Sequence, residues 1–142
     1  MKLNPYLIFD GQCKAAFTYY QQCLGGTIEA MMPFGDSPEC GDIPPSFRDH
    51  IMHARFVVDG QVLIGSDTTP QYPHEGIKGC SISLNVDRVA DAERIFSALA
   101  EGGSVQMPLD KTFWAARFGM CTDRFGVPWM INCEKDQRRC AS

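Results

Sequence analysis

Two rhythms of hydrophobic and polar positions run along the chain. Between Gln12 and Leu24, Ala16, Tyr19, Tyr20 and Cys23 recur at spacings of three and four, which predicts a helix over about 12–24. Ala92, Ile95, Phe96 and Leu99 repeat that spacing and predict a second helix over about 88–101, with Asp87 as its N-cap. Elsewhere the period is two. Strands are predicted at Tyr6–Asp10, Thr27–Phe34, His50–Val58 and Gln61–Asp67, then at Ser83–Asp87, Ser104–Phe113, Ala115–Cys121 and Val127–Cys133.

The two sets of elements repeat one another. Each helix follows a short apolar strand ending in Asp, and each ends at a glycine pair, Gly25-Gly26 and Gly102-Gly103. Both landmarks recur at one offset (87 − 10 = 77 and 102 − 25 = 77), which points to duplication of a unit. The turns Asp59-Gly60 and Asp123–Gly126 correspond in the same way, at an offset shortened to about 64–67 by the longer connection before His50 in the first half. The chain therefore reads βαβββ twice. The first module spans 1–67 and the second 79–134. Residues 68–78, with Pro70, Pro73 and Gly76, are a linker, and 135–142 are a tail.

Composition narrows the function classes. The 142 residues suit one compact domain or two small modules sharing a core. A formal net charge of −4 and the lack of a basic run argue against nucleic acid as a partner. No apolar stretch is long enough to span a bilayer, and the first residues carry no signal-like apolar run. The seven cysteines are odd in number and form no CxxC pair, so they read as small core fillers of a reduced, cytoplasmic protein.

The stretches "PYLIFDGQCKAAFTYYQQCLGG", "IMHARF", "GSD" and "KTFWAARFGMCTDRFGVPWMIN" resemble the PhnB-like branch of the vicinal oxygen chelate superfamily of glyoxalases, bleomycin-resistance proteins and ring-cleaving dioxygenases. The resemblance implies an α+β fold, in which each βαβββ module curls its mixed sheet into half of a cup with the helix outside. It also implies, for the metal enzymes, four ligands on the first and last strands of both modules. The matching positions here hold Asn4, Gly65, Ser81 and Asn132. None is His, Asp or Glu, so neither a metal nor any other cofactor is expected at them. The branch also carries a ubiquinone methyltransferase label, but no glycine-rich nucleotide loop joins a strand to a helix in this sequence.

Alternation groups the side chains that such a cup would offer a ligand. On one strand His53 and Arg55 share a face with Ile51 and Val57; on another Arg117 shares a face with Ala115, Gly119 and Cys121. An offset of 64 would make His53 and Arg117 equivalents in the two modules. Apolar faces are expected under the helices and mixed faces toward the cup. That places His53, Arg55, Asp67, Ser81, Ser83, Arg117, Met130 and Asn132 on the ligand side, with Trp114 beside them at the hairpin. The arginines either meet an anionic ligand or pair with Asp67 or Asp123 at the rim; Phe113 and Trp114 either plug the hairpin or stack on a ligand. The sequence assigns no catalytic residue. It leaves a small-molecule binder, without the usual metal and homodimeric through its open sheet edges, beside a metal-dependent lyase or dioxygenase whose relocated site uses His53 and Asp67.

Overall fold

A computed structural model describes residues 1–37, 41, 43–69 and 74–135. Part of the expected linker (70–73) and the tail beyond 135 lie outside the described residues. The chain divides into two compact units, Met1–Gly76 and Ile77–Ser142. In chain order the first holds β1 (Tyr6–Phe9), α1 (Cys13–Leu24), β2 (Thr27–Pro33), β3 (Ile51–Val58) and β4 (Gln61–Asp67). The second holds β5 (Ile82–Val86), α2 (Val89–Ala100), β6 (Ser104–Asp110), β7 (Ala115–Thr122) and β8 (Pro128–Glu134). Both units are βαβββ, as the repeat predicts.

Each unit is a four-stranded mixed sheet, ordered β1-β4-β3-β2 in the first and β5-β8-β7-β6 in the second. The first and last strands of each unit pair in parallel at one side of the sheet, with the first strand at its edge, Leu7 opposite Gly65 and Leu84 opposite Ile131. The helix supplies the crossover that lets the chain return to its first strand. Core packing fills one face of each sheet. Cys13, Ala16, Phe17, Tyr20 and Cys23 of α1 meet Leu7, Phe9, Ala54, Phe56 and Leu63. In the second unit Ala92, Ile95, Phe96 and Leu99 meet Cys121, Trp129, Ile131 and Cys133. Phe17, not Tyr19, completes the buried stripe of α1: Tyr19 is half-buried and Phe17 stacks edge-on against Phe9 and Phe56.

The helix ends differ from simple capping. Arg88 rather than Asp87 is the N-cap of α2, and its side chain makes no capping bond. The N-cap of α1, Gln12, makes none either. There the work falls to Asp67, at the end of β4, whose Oδ1 accepts the Cys13 N–H at 2.9 Å while Oδ2 accepts the Ile51 N–H at 2.7 Å. One buried carboxylate thus ties the start of a helix and the start of a strand to the sheet. The glycine pairs do stop the helices, Gly25 and Gly102 both at φ 77°. The second glycine of each pair passes so close to the neighbouring strand that a Cβ would collide with the Val57 carbonyl or the Thr122 carbonyl. The Asp59-Gly60 hairpin has positive φ at both residues, 51° and 75°, as a two-residue turn matching strand twist requires.

Candidate functional site

The faces opposite the helices carry the polar and aromatic side chains that no core claims. On the first unit this open face offers Tyr6 and Ile8 from β1, Ser66 from β4, and His53 and Arg55 from β3. Arg55 is engaged: its Nε lies 2.8 Å from Glu29 Oε1, with both side chains partly exposed. The irregularity in β2 between Ile28 and Ala30 brings Glu29 within reach, since the register steps past it there. A second irregularity, with Met32 opposite His53 but Pro33 opposite Ile51, sets Met52 aside. It carries Ile51 into the core, 2% exposed, and away from the His53 and Arg55 face on which alternation puts it.

On the second unit the open face is neutral at its centre. Asn85 of β5 stands opposite Asn132 of β8, and Asn132 Nδ2 donates to Asn85 Oδ1 at 3.0 Å. Ser83 stands opposite Met130, Met130 opposite Met120, and Asn132 opposite Phe118. Trp114, in the turn before β7, lays its ring edge against Phe118 at 5.4 Å and against Phe113 at 4.8 Å. Phe113 is 86% exposed and Trp114 49%, far more than large aromatics of a finished core. Asn132 Oδ1 is buried with no hydrogen-bond partner.

Two of the expected ligand-side residues stand on the opposite face. Asp67 is 4% exposed under α1, with Leu63 and Gly65, and its oxygens serve the two amides already described. Arg117 points to the helix side, where its Nε lies 3.6 Å from Glu93 of α2. The pairing of Arg55 and Arg117 with Asp67 or Asp123 does not occur; their partners are Glu29 and Glu93. Asp123, 2% exposed, instead closes the β7–β8 turn, accepting from the N–H groups of Phe125 and Val127 and from Trp129 Nε1.

The registers give the reason. Ala54 pairs with Gly65 in the first unit, and Gly119 with Ile131 in the second. With Leu7 and Leu84 as parallel counterparts, the internal offset is 65 for β3 and β7 (119 − 54) and 66 for β4 and β8 (131 − 65). His53 therefore corresponds to Phe118, not Arg117, and a shift of one residue changes the face. Size rather than polarity marks the helix side of β7. A Cβ on Gly119 would lie 2.8 Å from Phe96, and one on Gly65 would lie 2.9 Å from Phe17, so both helices ride close over glycine.

The same offset moves the superfamily metal position on the last strand of the first module from Gly65 to Ser66, because Asn132 corresponds to Ser66. The donor set then reads Asn4, Ser66, Ser81 and Asn132: two amides and two hydroxyls, with no anionic or imidazole ligand. Among the described residues no three His, Cys, Asp or Glu side chains converge as a metal would need. These residues do not fit the divalent ion of the metal enzymes. His53 and Asp67, the pair of the relocated-site alternative, point to opposite faces of their sheet. Ser81 is exposed just before β5. Nor do the buried thiols Cys13 and Cys121 offer a nucleophile: burial, and after it Asp67, push Cys13 up to about 12, and burial with Asp123 pushes Cys121 up to about 11. Cys133 is raised too, chiefly by burial. Cys80 is exposed, and Cys40 and Cys140 lie outside the described residues.

Comparison with known proteins agrees with this arrangement. The chain is 38% identical to Protein YjdN of Escherichia coli K12 over 145 residues, covering 96% of this chain and 98% of that one. Protein PA1353 of Pseudomonas aeruginosa is 66% identical, and its crystal structure superposes with a TM-score of 0.89 over 96% of this chain and 99% of that one. A PhnB protein from Bacillus cereus shares the fold at 22% identity, with a TM-score of 0.79 over 94% of this chain and 99% of that one. A family model matches residues 2–131, and with it the PhnB-like resemblance resolves into membership: the chain belongs to the Glyoxalase/Bleomycin resistance protein/Dioxygenase superfamily.

Proposed function

We propose that this protein binds a small molecule on its open sheet faces, without the divalent metal that the metal enzymes of its superfamily use. One observation carries the reading: the donor set Asn4, Ser66, Ser81 and Asn132 is polar but supplies no carboxylate, thiolate or imidazole. Neutral oxygens alone hold a divalent ion weakly, whereas amides and hydroxyls on a wet sheet face suit an organic ligand. The open face of the first unit, taken by itself, also carries His53 and the Arg55–Glu29 pair. An anionic ligand was expected from two arginines; it now rests on Arg55 alone, and such a ligand must displace Glu29. With net charge −4, nucleic acid is not a proposed partner.

We assign the protein to the cytoplasm as a homodimer on the grounds given by its cysteines and its sheet edges. Among the described residues no helix is long and apolar enough to cross a membrane. The test of the metal-free reading is elemental analysis and native mass spectrometry of protein purified gently from cells. The wild type, Asn132→Ala and Asn132→Glu are compared. Expected are no stoichiometric metal in the wild type or Asn132→Ala, and a bound organic adduct whose occupancy falls in Asn132→Ala. One metal per wild-type chain, lost in Asn132→Ala, would restore the enzyme reading.

A further inference from the structure

Asn132 Oδ1 marks an unmet need on the second unit. Among the described residues three buried side-chain polar atoms have no partner, and it is the only one of them in that unit. Turning both amides over keeps the bond between Asn132 and Asn85 but leaves the Asn132 nitrogen unmet instead. Either way the amide pair presents one unsatisfied group, and by rotation that group is an acceptor or a donor. An orphaned buried polar atom costs free energy that a bound partner recovers.

What surrounds the pair is flat and apolar. Phe118 stands directly across from Asn132, with Trp114 against its edge and Phe113 beyond. Met130 and Met120 face one another next to them. Strands β5, β8 and β7 put no charged side chain on this face between Ser83 and Asn132, since Arg117 turns to α2; the carboxylates stand at its margins, Glu134 two residues beyond Asn132 at the end of β8 and Asp110 opposite Phe118 on β6. Neutral amides beside aromatic rings favour a ligand that is itself flat and carries a neutral amide edge. A carboxylate there would be desolvated with no cation to meet it.

Resting on the small-molecule reading above, we propose that the Asn85–Asn132 pair with Phe118 and Trp114 is a subsite for a flat, uncharged ring bearing a carboxamide or lactam group. The amide edge of the ligand pairs with Asn132, and its ring lies against Phe118 and Trp114.

Three probes of matched size test this on the intact chain: benzamide, benzoate and cyclohexanecarboxamide. Trp114 reports by fluorescence, because the other tryptophan, Trp129, is buried and bonded to Asp123. Side-chain and backbone amide resonances of Asn85 and Asn132 report the polar edge. Benzamide is expected to quench Trp114, shift both asparagines, and bind about tenfold more tightly than benzoate, the value of one hydrogen bond. Cyclohexanecarboxamide is expected to bind more weakly than benzamide. In Asn132→Ala the preference for benzamide over benzoate should vanish; Asn132→Asp, which keeps the shape, should weaken benzamide and exclude benzoate.

Benzoate binding as tightly as benzamide in the wild type, or a preference that survives in a folded Asn132→Ala, overturns the subsite while leaving a small-molecule binder standing. Failure of all three probes to shift either open face at millimolar concentration removes the subsite and the binding reading together. Resonances of Phe118 and Asn132 that move with protein concentration instead would show that a second copy covers this face, which also overturns it.

Discussion

Replacing Asp67 separates the observed role of this residue from the one its sequence suggests. Its carboxylate is 4% exposed and accepts two N–H bonds, from Cys13 at 2.9 Å and Ile51 at 2.7 Å. Hydrogen bonds to a charged group contribute about 1.5–3 kcal/mol each, and water cannot take over at this depth. Asp67→Ala should therefore cost on the order of 3–5 kcal/mol, much of the stability of a small unit. Asp67→Asn keeps one acceptor but turns an NH₂ group toward the other donor, and should cost roughly half as much. Urea unfolding followed by circular dichroism gives the total. Amide exchange at Cys13 and Ile51 localises it, while tryptophan fluorescence reports the second unit alone, since Trp114 and Trp129 both lie there. A folded Asp67→Asn should bind ligand normally. A loss below about 1 kcal/mol, or intact stability with failed ligand binding, would refute the assignment of Asp67 to the frame.

Gly119→Ala should destabilise by about 1–3 kcal/mol, because the new methyl meets the Leu109 backbone and Phe96 at 2.8 Å, whereas Ser66→Glu, on the open face, should change the urea midpoint little. Alkaline solution should weaken the fold. The unfolded thiol loses its proton from about 9.0 upward, while Cys13 holds its proton to about 12 and Cys121 to about 11, so the unfolded state gains and stability falls as pH rises past 9.0. The size is roughly 1 kcal/mol per thiol by about pH 10, absent in Cys13→Ala and Cys121→Ala, as urea midpoints across that range would show. Sedimentation at micromolar concentration should give a dimer rather than the 15.8 kDa species of one chain.

The duplication was legible because its markers are obligatory. A helix that must stop needs a glycine at positive φ, and Gly25 and Gly102 stand at the same offset as the strands before them. Burial period located both helices, and all eight strands fell within a few residues of their predicted ends. What did not survive was the choice of side for β7. The grouping of Arg117, Gly119 and Cys121 was right, with Ala115 set apart by an irregularity in the register, but a mixed face was read as the ligand face. In the fold that face is small rather than wet: Gly119 admits Phe96, and Arg117 reaches past the sheet to Glu93. Asp67 failed for a related reason. Alternation put it with Leu63 and Gly65, correctly, yet a carboxylate in that row read as a pocket group, because the two orphan amides it serves are 54 and 16 residues away in sequence. Such debts are visible only once the chain has folded. The consequence for function is specific. With Arg117 turned to the helix side, the centre of the second unit's open face carries no charge, and Asn132 remains there beside Asn85 and Phe118. A position that holds a metal ligand in related enzymes then carries an amide whose nearest unsatisfied atom asks for a hydrogen bond. On the function proposed above, exchange of ionic for amide and hydroxyl groups at Asn4, Ser66, Ser81 and Asn132, with the frame unchanged, turns the same fold from metal chemistry to neutral ligands.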